Sequence, residues 1–196
     1  MRAEAGAETD AEVIEASLRE PERFADLYDR HHQTIHRYLA RRLGRDEADD
    51  LMAETFLIAF RQRDRYDLTC ANARPWLYGI ATHLVGRHHR AEDRFWRLIA
   101  RTGVDPAIES PSERVTERVT AQGMRRELAA ALARLPRGQR DVLLLTAAGG
   151  LSAEEIASAL GVAKGTVHSR LNRARKKTRD ALGGTDPRVV GEGVHP

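Results

Sequence analysis

Hydrophobic residues recur at steps of three and four positions through two separate parts of the chain, and this spacing predicts amphipathic helices. In the first part, one long helix runs from Phe24 to a stop at Gly44, and a second begins near Asp46. Weak periodicity then predicts a loop over residues 64–74, followed by a third helix that runs to about residue 97. The apolar faces of these three helices are enough for one compact bundle.

The second part of the chain begins with shorter helical patterns, one resuming near Met124 and stopping at Pro136 and another over residues 140–148. Between the two parts, Pro106 and Pro111 indicate a linker. The sequence therefore predicts an all-α protein with two small helical domains joined by a flexible linker. The expected divisions are a mobile N-terminal tail or loose helix at 1–22, a first domain at 23–98, the linker at 99–123, a second domain at 124–182 and a disordered tail at 183–196.

Residues 151–171 predict a helix, a tight turn and a second helix. Ser152 and Glu155 form a capping-box pattern, and Gly161 stands where a helix ends in the left-handed conformation that glycine tolerates best. Val167 and Leu171 mark the inner face of the second helix. Its other faces carry Lys164, Thr166, His168, Ser169, Arg170, Asn172, Arg173, Lys176 and Lys177. This helix-turn-helix pattern predicts DNA binding, with the second helix in the major groove.

The polar side chains of the second helix are expected to make two kinds of contact with DNA, base readout and phosphate contact. Arg173 can donate two hydrogen bonds to a guanine edge and Asn172 can pair with adenine, so both are candidates for direct readout. Phosphate contacts, which position the helix without reading sequence, are expected from the remaining cations. These are Lys164, Arg170, Lys176 and Lys177.

Composition and charge limit the partners and the compartment that are expected for this chain. The chain has 196 residues with a net charge of +3, so affinity for nucleic acid must come from local patches. The single cysteine, Cys70, cannot form an internal disulfide, and a reducing cytoplasm is expected. No apolar run approaches the roughly 20 residues that span a bilayer, so membrane insertion is not expected.

The predicted first domain carries two chemically opposite surfaces. One is acidic, with Asp49, Asp50 and Glu54. The other mixes cations with aromatic rings, a combination that suits single-stranded nucleic acid because phosphates are neutralised while bases stack. Its members are Tyr66, Arg74, Trp76, Tyr78, His83, Arg87, His88 and Arg90. The alternative is that Trp76 and Tyr78 are core residues, a role favoured for Trp76, and that the acidic patch is solvated surface.

Two stretches of the chain resemble a known family. DLMAETF at 50–56 and RPWLYGIA at 74–81 look like conserved region two of bacterial sigma-70 family factors, and GTVHSRLNRAR at 165–175 looks like region four. Nothing resembles regions one or three, and that layout is typical of the small extracytoplasmic-function (ECF) group. The resemblance covers roughly 24–97 and 124–182. It implies a promoter-recognition factor that is not an enzyme and needs no cofactor.

The resemblance also implies roles for particular positions. Asp49, Asp50, Ala53 and Glu54 match the contact with a coiled coil of the polymerase beta-prime subunit, although the family usually has Gln at the position of Ala53. The loop at 66–74 matches the segment that captures a flipped base of the minus-ten element. The implied minus-ten residues are Tyr66, Asn72, Arg74, Trp76, His83, Arg87, His88 and Arg90, with His83 replacing a common Asn.

Other partners follow from the same resemblance. The second domain would sit on the polymerase beta flap and read the minus-thirty-five element with the α-helical residues 164–177. The linker, with Asp105 and Glu109, would thread toward the RNA exit path. An anti-sigma factor is a further candidate partner.

Two other classes of protein compete with this interpretation. A free-standing helix-turn-helix regulator would bind duplex DNA alone, but it leaves both surfaces of the first domain unexplained. A metal-dependent enzyme would use His32 and His36, which have metal-ligand spacing on one helix. The chain lacks a His-Glu-x-x-His arrangement and a supporting cysteine, so no metal site is expected. No phosphate-binding loop or nucleophile elbow is present either, so no catalysis is expected.

Overall fold

The computed structural model describes residues 8–104 and 115–183, with side chains in the second range from residue 122 onward. Within these ranges every regular element is helical, which confirms the all-α prediction. The helices are α1 (Asp10–Ser17), α2 (Phe24–Leu43), α3 (Arg45–Gln62), α4 (Arg74–Arg87), α5 (His89–Thr102), α6 (Val115–Arg134), α7 (Arg137–Ala147), α8 (Ala153–Leu160) and α9 (Lys164–Ala181). Single 3-10 turns at Pro21–Arg23 and Arg63–Arg65 follow α1 and α3. Here α1–α5 are termed the first unit and α6–α9 the second unit.

Helix α1 corrects the expectation of a mobile N-terminal tail, for the residues from Asp10 onward. The Thr9 side chain and Glu12 form a complete capping box at its start, and Val13 and Ile14 are fully buried. With only eight residues the helix shows little periodicity on its own. Its burial depends on contact with α2, which the local pattern cannot reveal.

Helices α2, α3 and α4 form the core of the first unit, as the periodicity predicts. Gly44 ends α2 with a φ of 94°, a conformation that favours glycine. The predicted third helix is wrong in one respect, because it breaks at His88 into α4 and α5. The break redirects α5, whose buried residues Phe95, Trp96 and Ile99 pack mainly on α6 instead of continuing the first bundle.

The helix-turn-helix has the predicted local structure. The Ser152 hydroxyl accepts the Glu155 amide at 3.2 Å, and the Glu155 carboxylate accepts the Ser152 amide at 2.8 Å. Gly161 ends α8 in the left-handed conformation with φ 62° and ψ 37°. Val167 and Leu171 are buried, so their side of α9 packs against the rest of its own unit.

The predicted linker at 99–123 is shorter than expected. Helix α5 extends through Thr102 and ends at Gly103, and α6 already begins at Val115. The proposed roles of Asp105 and Glu109 lie outside the described residues, as does all of the expected C-terminal tail beyond Gly183.

The two units pack directly against each other, which the sequence did not predict. Helix α4 crosses α8 so closely that a Cβ at Gly79 would lie 2.4 Å from the carbonyl oxygen of Ala159. Helix α5 packs on α6 beside this crossing. This contact places the helix-turn-helix against α4, the helix that follows the α3–α4 loop.

A buried ion-pair network joins the units next to the α4–α8 crossing. Arg42 of α2 is completely buried and donates to Tyr38 at 2.7 Å, to Glu92 at 2.7 Å and to Asp141 of α7 at 2.6 Å. Arg140 of α7 returns the contact, pairing with Glu92 at 3.1 Å. Buried cations and carboxylates therefore compensate one another's charge across the interface, as buried charges require, and Asp93 is a further partner of Arg140 at 3.1 Å.

Candidate nucleic-acid interface

Several polar and basic side chains of α9 are exposed to solvent, and together they are termed the reading face. Its exposed members are Lys164, His168, Asn172, Arg173, Lys176 and Lys177. Val167, Leu171 and Ala174 on the opposite side are buried and fix the rotation of the helix. The predicted recognition residues are thus presented together in the direction open to solvent.

Four of the predicted recognition residues are more constrained, because their side chains make contacts within the chain. The Ser169 hydroxyl donates to the Thr166 carbonyl at 3.1 Å, and Arg173 Nε donates to the Ser169 carbonyl at 3.2 Å. The guanidinium of Arg170 lies against Gly138 of α7, turned toward the junction between the units. Lys164 pairs with Glu154 of α8. Arg173 keeps its terminal amino groups for an outside partner, whereas Arg170 does not project from the reading face.

The loop between α3 and α4, residues 66–73, is ordered by its own side chains. Asp67 accepts the amide of Thr69 at 3.0 Å, and Asn72 accepts the amide of Arg74 at 3.0 Å. The Tyr66 ring lies 4.9 Å from the Trp76 ring, and its hydroxyl donates to the Cys70 carbonyl. Burial raises the pKa of Tyr66, which stays a neutral phenol.

A cleft of about 720 Å³ opens beside this loop. One wall comes from the first unit and contains five of the residues assigned to minus-ten recognition. The members are Tyr66, Asn72, Trp76, His83 and Arg87. The opposite wall is α8, through Glu154, Glu155 and Ser158. The structure therefore collects these sequence-predicted residues in one place, with a tilted aromatic pair in the same cleft as Arg87.

Three other residues assigned to the minus-ten set do not line this cleft. Arg74 donates to the Gly149 carbonyl of the second unit at 2.7 Å. His88 and Arg90 are exposed where α4 turns into α5. These cations can still meet phosphates, but not inside the aromatic cleft.

The structure places the two aromatic residues Tyr78 and Trp76 differently from the sequence interpretation. Tyr78 is fully buried with its ring 5.0 Å from Tyr38 in a T-shaped contact, so it is a core residue and not part of the surface. Trp76, for which the core role was favoured, is only partly buried and lines the cleft. Positions two apart on a helix differ by about 200° in direction, so the rings of Trp76 and Tyr78 lie on nearly opposite sides of α4, and the residues themselves gave no signal for which ring faced out.

The acidic patch of α3 lies on solvent-facing positions. Asp49 and Asp50 are exposed, and the Asp49 carboxylate oxygen Oδ1 lies 2.8 Å from Nε2 of His36. Glu54 pairs with Arg87 at 3.1 Å. Leu57, which the sequence interpretation missed, continues the face with 47% of its surface exposed. An exposed leucine beside carboxylates adds an apolar contact point to the patch.

The histidines of the metal-site alternative have other partners. His32 bonds the Tyr28 carbonyl and stacks on the Tyr28 ring, while His36 contacts Asp49. In the ranges that the structure describes, no three His, Cys, Asp or Glu residues converge on a possible metal position. No helix in those ranges is long and apolar enough to cross a membrane.

Comparison with known proteins defines the class to which this arrangement belongs. The family described as Sigma-70 region 2 matches residues 27–95, and Sigma-70, region 4 matches residues 125–178. SigL of Mycobacterium tuberculosis, an ECF RNA polymerase sigma factor, is 32% identical over 179 residues, 89% of this chain and 99% of SigL. CarQ of Myxococcus xanthus, an RNA polymerase sigma factor, is 31% identical over 164 residues, 82% of this chain and 89% of CarQ.

Solved structures share the fold. CnrH in complex with the cytosolic domain of CnrY matches with a TM-score of 0.60 at 23% identity, covering 89% of this chain and 97% of that chain. The sigma factor RpoE of Bartonella quintana, in complex with the anti-sigma factor NepR, matches with a TM-score of 0.58 at 23% identity, covering 82% and 96%.

The chain belongs to the ECF RNA polymerase sigma factors. It is therefore a non-enzymatic initiation factor that binds core RNA polymerase and directs promoter recognition. This membership confirms the resemblance in the sequence and favours the sigma factor over the free-standing regulator.

Proposed function

We propose that this chain divides promoter recognition between its two units, with the reading face of α9 on the minus-thirty-five duplex and the cleft of the first unit on the unpaired minus-ten strand. The observation that carries the proposal is the simultaneous presence of both surfaces. One is an exposed polar and basic helix face, and the other is a cleft that holds a close aromatic pair together with Arg87. Duplex and single-stranded DNA are recognised by these two kinds of surface respectively.

On α9, Arg173 and Asn172 are the proposed readers. Both are exposed, on neighbouring strips of the helix, and the backbone bond of Arg173 Nε to Ser169 orients the guanidinium along the helix. Lys176 and Lys177 lie one turn further along and are proposed to contact phosphates. Because Arg170 lies against Gly138 of α7 in the same unit, it is proposed to contact a phosphate only after its side chain changes rotamer.

In the first unit, Tyr66 and Trp76 would receive an extruded base, and His83 and Arg87 would hold the adjacent backbone. Extrusion costs a few kcal/mol, which stacking on the ring pair would offset. Because α8 forms the far wall of the cleft, we propose that the second unit moves away from this position when a strand enters. Promoter engagement is thus proposed to require the open arrangement.

The acidic patch, Asp49, Asp50, Ala53 and Glu54, is proposed to contact the beta-prime coiled coil, and the second unit the beta flap. Both structural neighbours are bound to a partner protein, in one case named an anti-sigma factor. A partner that holds the two units together is proposed for this chain on the same basis. The cytoplasm, where transcription occurs, is the proposed compartment.

A first test is whether promoter binding depends on core polymerase. Holding both units on one rigid surface raises their effective concentration for adjacent promoter elements. We expect weak, poorly specific binding by the free chain and tight binding by the holoenzyme in a gel-shift titration. Tight, sequence-specific binding by the free chain would favour a free-standing regulator.

A second test separates reading from phosphate contact. Arg173→Ala should relax preference at one position of the minus-thirty-five element by about 1–3 kcal/mol. The matched control on the same helix, Lys176→Ala, should weaken all sequences alike and flatten the salt dependence. Holoenzyme binding across single-base promoter variants at two salt concentrations measures both. Equal loss on every variant for Arg173→Ala would make Arg173 a phosphate contact.

A further inference from the structure

The first residue of α1 reaches across the first unit to the end of the α3–α4 loop. Asp10 is 8% exposed, and its carboxylate accepts the Ala73 amide at 2.9 Å. Its own amide donates to the Ala71 carbonyl at 3.1 Å. Asp10 therefore holds the backbone on both sides of Asn72, a residue of the cleft wall.

The carboxylate of Asp10 is itself firmly held. His31 Nε2 lies 2.7 Å from one oxygen, and Arg30 donates to the other at 3.2 Å. Burial opposes the negative charge, but the hydrogen bonds from His31 and Ala73 outweigh it and lower the pKa of Asp10 to about 2. At neutral pH the group is an ionised acceptor with a fixed orientation.

This contact replaces a missing local cap. Ala73, the N-cap residue of α4, makes no side-chain capping bond, and Trp76 occupies the N3 position where a Glu would complete a capping box. Asp10, 63 residues away, takes the N-cap amide in its place. The start of α4 is thus positioned from α1, while Asn72 is left with its side chain exposed.

We propose that Asp10 is a positioning residue for minus-ten recognition, because it fixes the backbone around Asn72 and so sets how the loop is presented to the extruded base. This rests on the proposed function of the cleft. The folding of α1 does not depend on the same contact, since Val13 and Ile14 anchor the helix and Thr9 with Glu12 caps it. The effect of Asp10 is therefore separable from the presence of the helix.

The test uses the full-length chain with core polymerase and compares Asp10→Ala, Asp10→Asn and Glu15→Ala. Glu15 is the matched control, because it is an exposed acid on the same helix and takes no part in the Thr9–Glu12 capping box or in the contact with the loop. Transcription is measured on promoters with single-base changes in the minus-ten and the minus-thirty-five elements. Since misplacement by an ångström can cost about 100-fold, we expect Asp10→Ala to shrink minus-ten discrimination by roughly 10- to 100-fold.

Minus-thirty-five discrimination should stay unchanged in the same variant, and Glu15→Ala should leave both unchanged. Asp10→Asn retains an oxygen for the Ala73 amide, so part of the discrimination should be recovered. Hydrogen exchange provides a readout apart from transcription. The Ala73 amide should exchange faster in Asp10→Ala, while the amides of Val13 and Ile14 remain protected.

Two results would overturn the proposal in distinguishable ways. If Asn72→Ala shrinks minus-ten discrimination but Asp10→Ala lowers transcription equally on every promoter, Asp10 is only a structural residue. If neither variant changes minus-ten discrimination, the assigned function of the loop fails and the role of Asp10 fails with it. Slow exchange of the Ala73 amide in Asp10→Ala would by itself show that the Asp10 carboxylate does not hold this part of the backbone.

Discussion

Replacement of Arg42 tests whether the two units hold each other in solution as they do in the structure. The guanidinium is completely buried and donates to Tyr38, Glu92 and Asp141, all within 2.7 Å. Arg42→Met keeps much of the side-chain volume but removes the charge from two buried carboxylates. Only Arg140 then remains to compensate Glu92.

The expected loss of stability in Arg42→Met follows from the burial of the two carboxylates that Arg42 contacts. Removing one member of a buried ion pair typically costs 3–5 kcal/mol, because the other member stays desolvated without its partner. Total stabilities are about 5–15 kcal/mol, so Arg42→Met should lower the urea midpoint severely. The matched control is Arg87→Met, which breaks the exposed pair with Glu54 and should cost less than about 1 kcal/mol.

A double-mutant cycle with Asp141→Asn isolates the contact between the units. Arg42 and Asp141 lie 2.6 Å apart and belong to different units, so we expect a coupling energy above about 1.5 kcal/mol. A coupling near zero, with Arg42→Met still costly, would mean that Arg42 serves the first unit alone. In that case the units do not share this network in solution.

Three further changes have defined outcomes. Reversing the charges of Asp50 and Glu54 should weaken pull-down of core polymerase while the melting curve moves by less than about 1 kcal/mol, and unchanged pull-down would make the patch plain solvated surface. Gly79→Ala should destabilise the packed chain by about 1–3 kcal/mol in urea, because the added methyl meets the α8 backbone, whereas Gly123→Ala has open space and should be neutral or stabilising. The pKa of Asp10 falls from 3.8 to about 2 on folding, so its contribution of roughly 2 kcal/mol is complete above pH 3.8 and is lost as the pH falls toward 2. Acid titration of Asp10→Asn should lack that loss, and a parallel acid limb in both proteins would contradict the assignment.

Those parts of the fold that depend on local chemistry could be predicted from the sequence. Helix α2 and the helix-turn-helix follow from periodicity, a capping box and glycine stops, all of which act within a few residues. The contact between the units could not be predicted this way, because Arg42 meets Glu92 across 50 positions and Asp141 across 99. The site divides similarly. Residues of the reading face were found from their own helix, whereas the role of Asp10 depends on a loop 63 positions away.

The buried centre of the network is divided evenly between the two units. Arg42 and Glu92 belong to the first, and Arg140 and Asp141 belong to the second. Two flanking pairs change this balance, because Asp93 of the first unit pairs with Arg140 at 3.1 Å and Arg137 of the second unit lies 3.8 Å from Asp141. Together these groups give the first unit an excess negative charge and the second unit an excess positive charge. Separation of the units therefore exposes two surfaces of opposite charge, whose attraction favours their return and weakens as the salt concentration rises.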